Sequence, residues 1–195
     1  PGMPDFVAGA VQGLAAAECV LLTVNAAAGV EVMTRKLWGM LEARNLPRMI
    51  VLTKMDHDRA QFDELLGQMK ELFGASVTPL FLPVGIGPSF SGVVNLLKDS
   101  GQAPPQAAEK AKASGAQLLE SVVSADDRLM ERYLNDEKIP AAEVAACFTK
   151  ALLAGALTPV LCVSGEKEVG VSELLDAIVE LAPPPVSSRR LGSAP

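Results

Sequence analysis

The residues with chemistry to offer are few, and they sit where apolar runs end. Thr53-Lys54-Met55-Asp56 follows directly on the apolar run Arg48–Leu52, at the carboxyl end of a strand, where open α/β sheets hold their ligands. A carboxylate at Asp56 can accept hydrogen bonds from the N1–H and the exocyclic amine of guanine, while the stem of Lys54 lies along the base plane; adenine lacks both donors. By itself a polar turn after a strand is usually a solvated loop. A second turn, Val163-Ser164-Gly165-Glu166-Lys167, closes the run Pro159–Val163. A backbone N–H at a small residue there can donate to guanine O6, which complements the acceptor role of Asp56. Alone it reads as an ordinary Ser-Gly turn. His57 reads as a solvated loop histidine beside the first turn.

Both turns need a buried parallel sheet behind them. Cys19–Val24 and Arg48–Leu52 are near-continuous apolar runs, as expected of strands buried on both faces. Helices are expected over Asp5–Ala17, Val30–Arg44 and Ala60–Phe73, where apolar residues recur at helical spacing. This alternation predicts an α/β fold with right-handed crossovers. Beyond Gly74 it is interrupted by extended segments at Thr78–Val84 and Gly92–Leu96 and by a Gly/Pro/Ala/Gln-rich stretch at Asp99–Ala107. Helices at Glu109–Val123, Asp126–Asn135 and Ala141–Ala154 follow, and the α/β pattern resumes with strand Pro159–Val163 and helix Val171–Leu181. The expected organisation is a core of residues 1–74 and 156–182, an inserted α+β subdomain over 75–155, and a Pro/Ser/Arg-containing linker over 183–195.

The 195 residues are 49% hydrophobic, enough for one sizeable core. A net charge of -6 argues against broad attraction to nucleic acid or to an anionic membrane, so any RNA contact is local. No DNA or membrane partner is expected, since no apolar stretch reaches the length of a bilayer span. Cys19, Cys147 and Cys162 are far apart and embedded in apolar runs, and they read as buried thiols in a reducing cytoplasm rather than as disulfides or metal ligands. The chain begins on Pro1-Gly2 without an initiator methionine, as an internal piece of a longer protein would.

Taken in order, these residues resemble elongation factor G, the translocation GTPase of the ribosome. Pro1-Gly2 with Asp5-Phe6 resembles the second half of that family's Asp-Thr-Pro-Gly-His-x-Asp-Phe motif. Gly29-Val30-Glu31 with Thr34 and Trp38 resembles its Gly-Val-Glu helix, Thr53-Lys54-Met55-Asp56 its Asn-Lys-Met-Asp motif, and Ser164-Gly165 its Ser-Ala pair. Leu82-Pro83-Val84-Gly85 with Phe90–Leu96 is similar to the start of the family's insertion, and Leu129–Leu134 to a helix near its end. Gly170-Val171, Leu174–Ala177 and Pro183–Pro185 resemble the close of its nucleotide domain. The resemblance implies a P-loop-NTPase-like, mostly parallel sheet with helices on both faces, incomplete at its N-terminus. GTP or GDP would be bound by Pro1, Gly2, Thr53, Lys54, Asp56, Ser164, Gly165 and Glu166. Mg²⁺ and the phosphate-binding loop would have their ligands upstream of Pro1, so this piece alone is expected to bind nucleotide negligibly. The implied partners are the ribosome, through its RNA and its acidic stalk protein, in the cytoplasm.

Several departures qualify that picture. Met3 stands where the family has the histidine that orients the attacking water, and a thioether cannot make that hydrogen bond. The resemblance implies that Gly2 and Met3 are the catalytic positions, and with methionine in place of the histidine slow hydrolysis is expected. Thr53 replaces an asparagine and loses amide donors that tie neighbouring loops. Gly165 replaces an alanine and keeps its N–H. The stretch between Asn95 and Leu118 is compact and rich in Ala, Pro and Gln, as in a diverged paralogue. Three expectations follow: a ribosome-dependent GTPase that drives translocation, a GTP-dependent ribosome-binding switch that hydrolyses slowly, or a Rossmann-like domain without a nucleotide.

Overall fold

The computed structural model describes residues 2–184. Pro1 and residues 185–195, hence one expected nucleotide contact and most of the expected linker, lie outside the described residues.

A turn of 3-10 helix at Pro4–Phe6 leads into α1 (Val7–Ala16), so the expected helix starts two residues late, behind a proline that cannot donate into an α-helical ladder. The order then runs β1 (Val20–Asn25), α2 (Val32–Ala43), β2 (Arg48–Thr53), α3 (Phe62–Phe73), β3 (Val77–Pro79), β4 (Phe81–Val84), β5 (Gly92–Asn95), α4 (Ala108–Val123), α5 (Asp127–Leu134), α6 (Ala141–Leu153), β6 (Thr158–Cys162) and α7 (Val171–Leu181). Helix α2 begins at Val32 rather than Val30, because Gly29 has φ +77° and Glu31 is extended as the N-cap residue. Helix α3 begins at Phe62 rather than Ala60, since His57–Ala60 closes a turn of its own, with the Ala60 amide 2.9 Å from the His57 carbonyl. Asp126 caps α5 by accepting from the Arg128 amide at 3.2 Å.

Four strands form a parallel sheet in the order β1-β2-β6-β3, and β4 and β5 form an antiparallel hairpin. Two strand expectations need correction. The single extended segment at Thr78–Val84 is two strands, divided at Leu80. Its first part, β3, joins the parallel sheet beside β6, and the Leu80 amide donates to Val160 at 2.8 Å. Phe81–Val84 then leaves the sheet to pair with β5. Strand β1 is not buried on both faces: Leu22 and Val24 are buried while Leu21 and Thr23 are exposed. It is an edge strand, and among the described residues nothing covers its second face.

β2 fulfils the buried-strand reading and β6 shares its burial, with consecutive residues Met49–Leu52 and Thr158–Cys162 all buried. Since successive side chains point to opposite faces, the centre of the sheet is covered on both sides. The Trp38 ring of α2 stacks on Phe73 of α3, with centroids 4.3 Å apart, and α4, α6 and α7 pack one against the next. One hydrophobic cluster runs through the sheet, the hairpin and α4 to α7. A smaller one joins Leu14 of α1 to Leu41 and Leu46. Cys147 and Cys162 are buried thiols as expected, whereas Cys19 is only half-buried. Among the described residues no helix is long and apolar enough to cross a membrane.

Candidate functional site

The parallel register fixes where the two turns meet. Leu52 of β2 lies opposite Cys162 of β6, so Thr53 and Val163 leave the sheet side by side at its carboxyl edge. Two backbone bonds seal the junction: the Val163 amide donates to Leu52 at 2.8 Å and the Met55 amide to Val163 at 3.3 Å. On the other flank, the Thr53 hydroxyl donates to the Val24 carbonyl at 3.3 Å and the Ala26 amide donates to the Thr53 carbonyl at 2.9 Å. The threonine thus ties β2 to β1 with its one hydroxyl.

Within the first turn, side chains alternate between anchoring and presenting. Lys54 takes φ +58°, a left-handed conformation uncommon for a residue with a Cβ, and stands exposed. That twist drives Met55 inward, where it is fully buried, and turns Asp56 back toward the second turn. His57 is exposed, and its Nδ1 accepts from the Arg59 amide at 3.2 Å, which closes the loop.

The second turn is built around Ser164, which is fully buried. Its amide and carbonyl pair with Val169 at 2.9 and 3.1 Å, so residues 165–168 form a short closed loop with Gly165 and Glu166 exposed at its tip. The Ser164 hydroxyl accepts from the Lys167 amide at 3.1 Å. Hydrogen bonding from the same hydroxyl holds the Asp56 carboxyl below its ordinary pKa, with lesser help from its own backbone amide and from the charges of Lys167 and His57. Asp56 is therefore favoured as an acceptor-only carboxylate. The loop ends on Gly170 at φ +77°, where a Cβ would sit 2.8 Å from the Cys162 carbonyl, so only glycine returns the chain into α7 at this point.

Thr53, Lys54, Asp56, Ser164, Gly165 and Glu166 are therefore brought together at one edge. Gly2 and Met3 are exposed ahead of α1, and Met3 offers the Phe6 amide only its backbone carbonyl, at 3.0 Å. Leu14 anchors the far end of that helix against Leu41 and Leu46. Two contributors escaped the sequence reading. Lys167 reaches across to donate to the carbonyls of Pro88 at 2.6 Å and Phe90 at 3.5 Å, and the Gly87 amide donates to Met55 at 2.9 Å. The only local signal was the Gly85-Ile86-Gly87-Pro88 turn, whose two glycines both have positive φ. Among the described residues no group of three or more His, Cys, Asp or Glu is arranged to hold a metal ion.

A mostly parallel sheet, covered on both faces at its centre and carrying polar turns at the carboxyl ends of neighbouring strands, defines an α/β nucleotide-binding domain of the P-loop GTPase kind. Residues 1–184 match the model of the elongation factor Tu GTP-binding domain, and the chain belongs to that family of translational GTPases, whose members bind guanine nucleotide. It is 31% identical over 192 residues to an elongation factor G-like protein of Thermotoga maritima, a match covering 95% of this chain and 28% of that protein. A solved structure from Thermus thermophilus superimposes with a TM-score of 0.87 at 32% identity, over 100% of this chain and 31% of that one. The chain thus spans less than a third of the length of either relative.

Proposed function

We propose that this chain is the base-recognition part of the GTP-binding domain of an elongation factor G-like GTPase that works on the ribosome to drive translocation. The observation that carries the reading is the convergence of the two turns at one edge: Leu52 and Cys162 end neighbouring strands side by side, and the Met55 amide donates to the Val163 carbonyl at 3.3 Å. The residues fit guanine. Asp56 is an ionised acceptor for N1–H and the 2-amine, Gly165 is exposed at the loop tip with an amide that can serve O6, and the exposed Lys54 stem has room to cover the base. Bound GTP supplies the hydrolysable phosphoanhydride, and the chain's own contribution is to select and orient the base. In this reading Pro1 and Gly2 reach the phosphate end, and Glu166 flanks the base. Residues 1–74 and 156–182 form the core, with 75–155 as its insertion and 183–195 as a linker; strand β3 of the insertion completes the parallel sheet. Mg²⁺, the ribosomal RNA and stalk contacts, and a cytoplasmic location belong to the same proposal.

Titration of the protein at its natural full length with GDP and ADP tests it. A site that leaves Asp56 unpaired against adenine should prefer GDP by about 10²–10⁴-fold; equal affinities would overturn the reading.

Met3 supports a second reading, a GTP-dependent ribosome-binding switch with slow hydrolysis. Its side chain is 65% exposed and has no polar atom able to orient a water. Met3→His should then raise ribosome-stimulated GTP turnover by roughly 10²–10⁴-fold, the usual worth of a positioned acid–base group. Unchanged turnover on restoring the imidazole would remove the case for the switch.

A further inference from the structure

The base turns are not connected only to each other. Starting at Met55, the residue before Asp56, the backbone amide donates to the Val163 carbonyl at 3.3 Å, and the hydroxyl of the next residue, Ser164, accepts from the Lys167 amide at 3.1 Å. The Lys167 ammonium donates to the carbonyls of Pro88 and Phe90, in the turn that joins β4 to β5. One residue before Pro88, the Gly87 amide donates to the Met55 carbonyl, adjacent to Asp56. The path is closed: it leaves the first base turn at the Met55 amide and returns to it at the Met55 carbonyl, passing through the second base turn and the hairpin turn.

The hairpin turn is shaped to take this part. Gly85 and Gly87 have φ +74° and +63°. A Cβ on Gly85 would lie 2.1 Å from the Ser89 carbonyl oxygen, and one on Gly87 would lie 3.4 Å from the His57 carbonyl oxygen. The backbone of the turn therefore lies tight on itself and against the Met55–His57 segment. Ser89 locks it from within, donating to the Ile86 carbonyl at 2.8 Å and accepting from the Ile86 amide at 3.2 Å. The side chain that reaches this turn from the second base turn is a lysine ammonium. Its two acceptors are backbone carbonyls rather than a carboxylate, so the bond holds a position without neutralising the charge that Asp56 also feels.

We propose that the Gly87–Phe90 turn is a relay between the base site and the β4–β5 hairpin, and that Lys167 is the positioning residue that couples them. The inference rests on guanine recognition at Asp56. Capture of the base fixes Asp56, Ser164 and the 165–168 loop; Lys167 carries that order to the carbonyls of Pro88 and Phe90. By linkage, a ligand or partner that immobilises the hairpin tightens the base site by the same factor.

The test pairs a specificity ratio with a local readout, both on the full-length protein. Inosine diphosphate lacks the 2-amine that Asp56 accepts from, so the ratio of its Kd to that of GDP reports how well Asp56 is aimed. In the parent protein this ratio should be about tenfold or more, the worth of one charge-assisted hydrogen bond. Lys167→Met should reduce it severalfold with little change in thermal stability, because Lys167 is exposed, and Lys167→Arg should restore most of it. Hydrogen–deuterium exchange over residues 84–91 should slow on GDP binding in the parent protein and in Lys167→Arg, and not in Lys167→Met. If GDP binds but the ratio and the exchange are the same in all three proteins, the relay is wrong while guanine recognition stands. If the parent protein shows no preference for GDP over ADP, guanine recognition fails and the relay with it.

Discussion

The two ends of strand β2 carry opposite solutions to the problem of a charged residue beside a hydrophobic core. At its start Arg48 is 8% exposed and lies 4.2 Å over the Trp38 ring, which in turn stacks on Phe73. Its polar bonds are long: 3.5 Å to the Leu46 carbonyl and 3.9 Å to an exposed Glu42 carboxylate. Its Nε, the Trp38 Nε1 and the Thr158 hydroxyl have no hydrogen-bond partner among the described residues. Burial pushes the guanidinium pKa down, against the pull of Glu42. Beyond the other end Asp56 is half-buried and its charge is favoured by Ser164. The comparison separates packing from recognition. The start of the strand uses a charged residue as stacking surface and tolerates poor bonding, while the far end spends buried polar atoms on holding one carboxylate ready for a ligand. Substitutions at the two ends should therefore move different observables.

The largest effect belongs to the packed end. Trp38→Ala removes a 3% exposed ring from between Arg48 and Phe73 and should cost about 3–5 kcal/mol of stability, measured by urea unfolding. The GDP-to-ADP preference of the molecules that remain folded should not move; a changed preference would join the two ends that the comparison separates. Next in size is Asp56→Asn. An amide presents a donor as well as an acceptor, so it no longer suits the N1–H and 2-amine pair and instead matches xanthine, which carries an oxygen at position 2. Affinity for GDP should fall by roughly 10–100-fold per charge-assisted bond lost, with xanthosine diphosphate gaining, and unfolding should be nearly unchanged. Equal loss of both nucleotides would mean that Asp56 supports the loop rather than reading the base.

The parts of this arrangement that local pattern encodes were readable in the sequence. The strands β2 and β6 announce themselves as uninterrupted apolar runs, and the polar residues that end them fall at the sheet's carboxyl edge because parallel strands share one direction. What escaped depends on contacts distant in sequence. The division of Thr78–Val84 into β3 and β4 follows from pairing with β6, about eighty residues further on, and an unbroken run of apolar residues and prolines carries no mark of where its partner changes. The exposed face of β1 is likewise a property of the neighbours, since Leu21 and Thr23 look no different from buried strand residues. The Lys167 latch is less legible still: a lysine in a turn gives no sign that carbonyls at Pro88 and Phe90 lie within reach. Thr53 shows the converse. Its hydroxyl bond to Val24 preserves part of the tie that was expected to be lost with the asparagine amide.

Smaller effects sharpen the same contrast. Arg48→Met keeps a long side chain able to lie against Trp38 through its sulfur, removes a guanidinium that burial disfavours and leaves only the solvent-exposed Glu42 carboxylate without its distant partner. Stability should change by no more than about 1 kcal/mol, as when other imperfectly satisfied buried charges are replaced by apolar residues. A loss comparable to that of Trp38→Ala would show that the Arg48 charge, not its stacking surface, holds the start of the strand.

The smallest and most local effect is the acid limb of Asp56. Its pKa is lowered in the folded protein, so whatever the carboxylate contributes is fully present above the ordinary aspartate value near 3.9 and disappears only as pH falls through the lowered one. Ser164 is the largest cause of that lowering. Ser164→Ala should therefore move the Asp56 midpoint upward, so that at the acid edge the variant loses the carboxylate, and with it base recognition, at a higher pH than the parent protein does. The buried side chain is small, and the Ser164 backbone bonds to Val169 do not depend on the hydroxyl, so the loop should keep its shape. Following the Asp56 carboxyl carbon by NMR through an acid titration of both proteins decides the matter: an unmoved midpoint means the serine serves only the turn through Lys167, and an upward one means it holds the base-reading carboxylate charged.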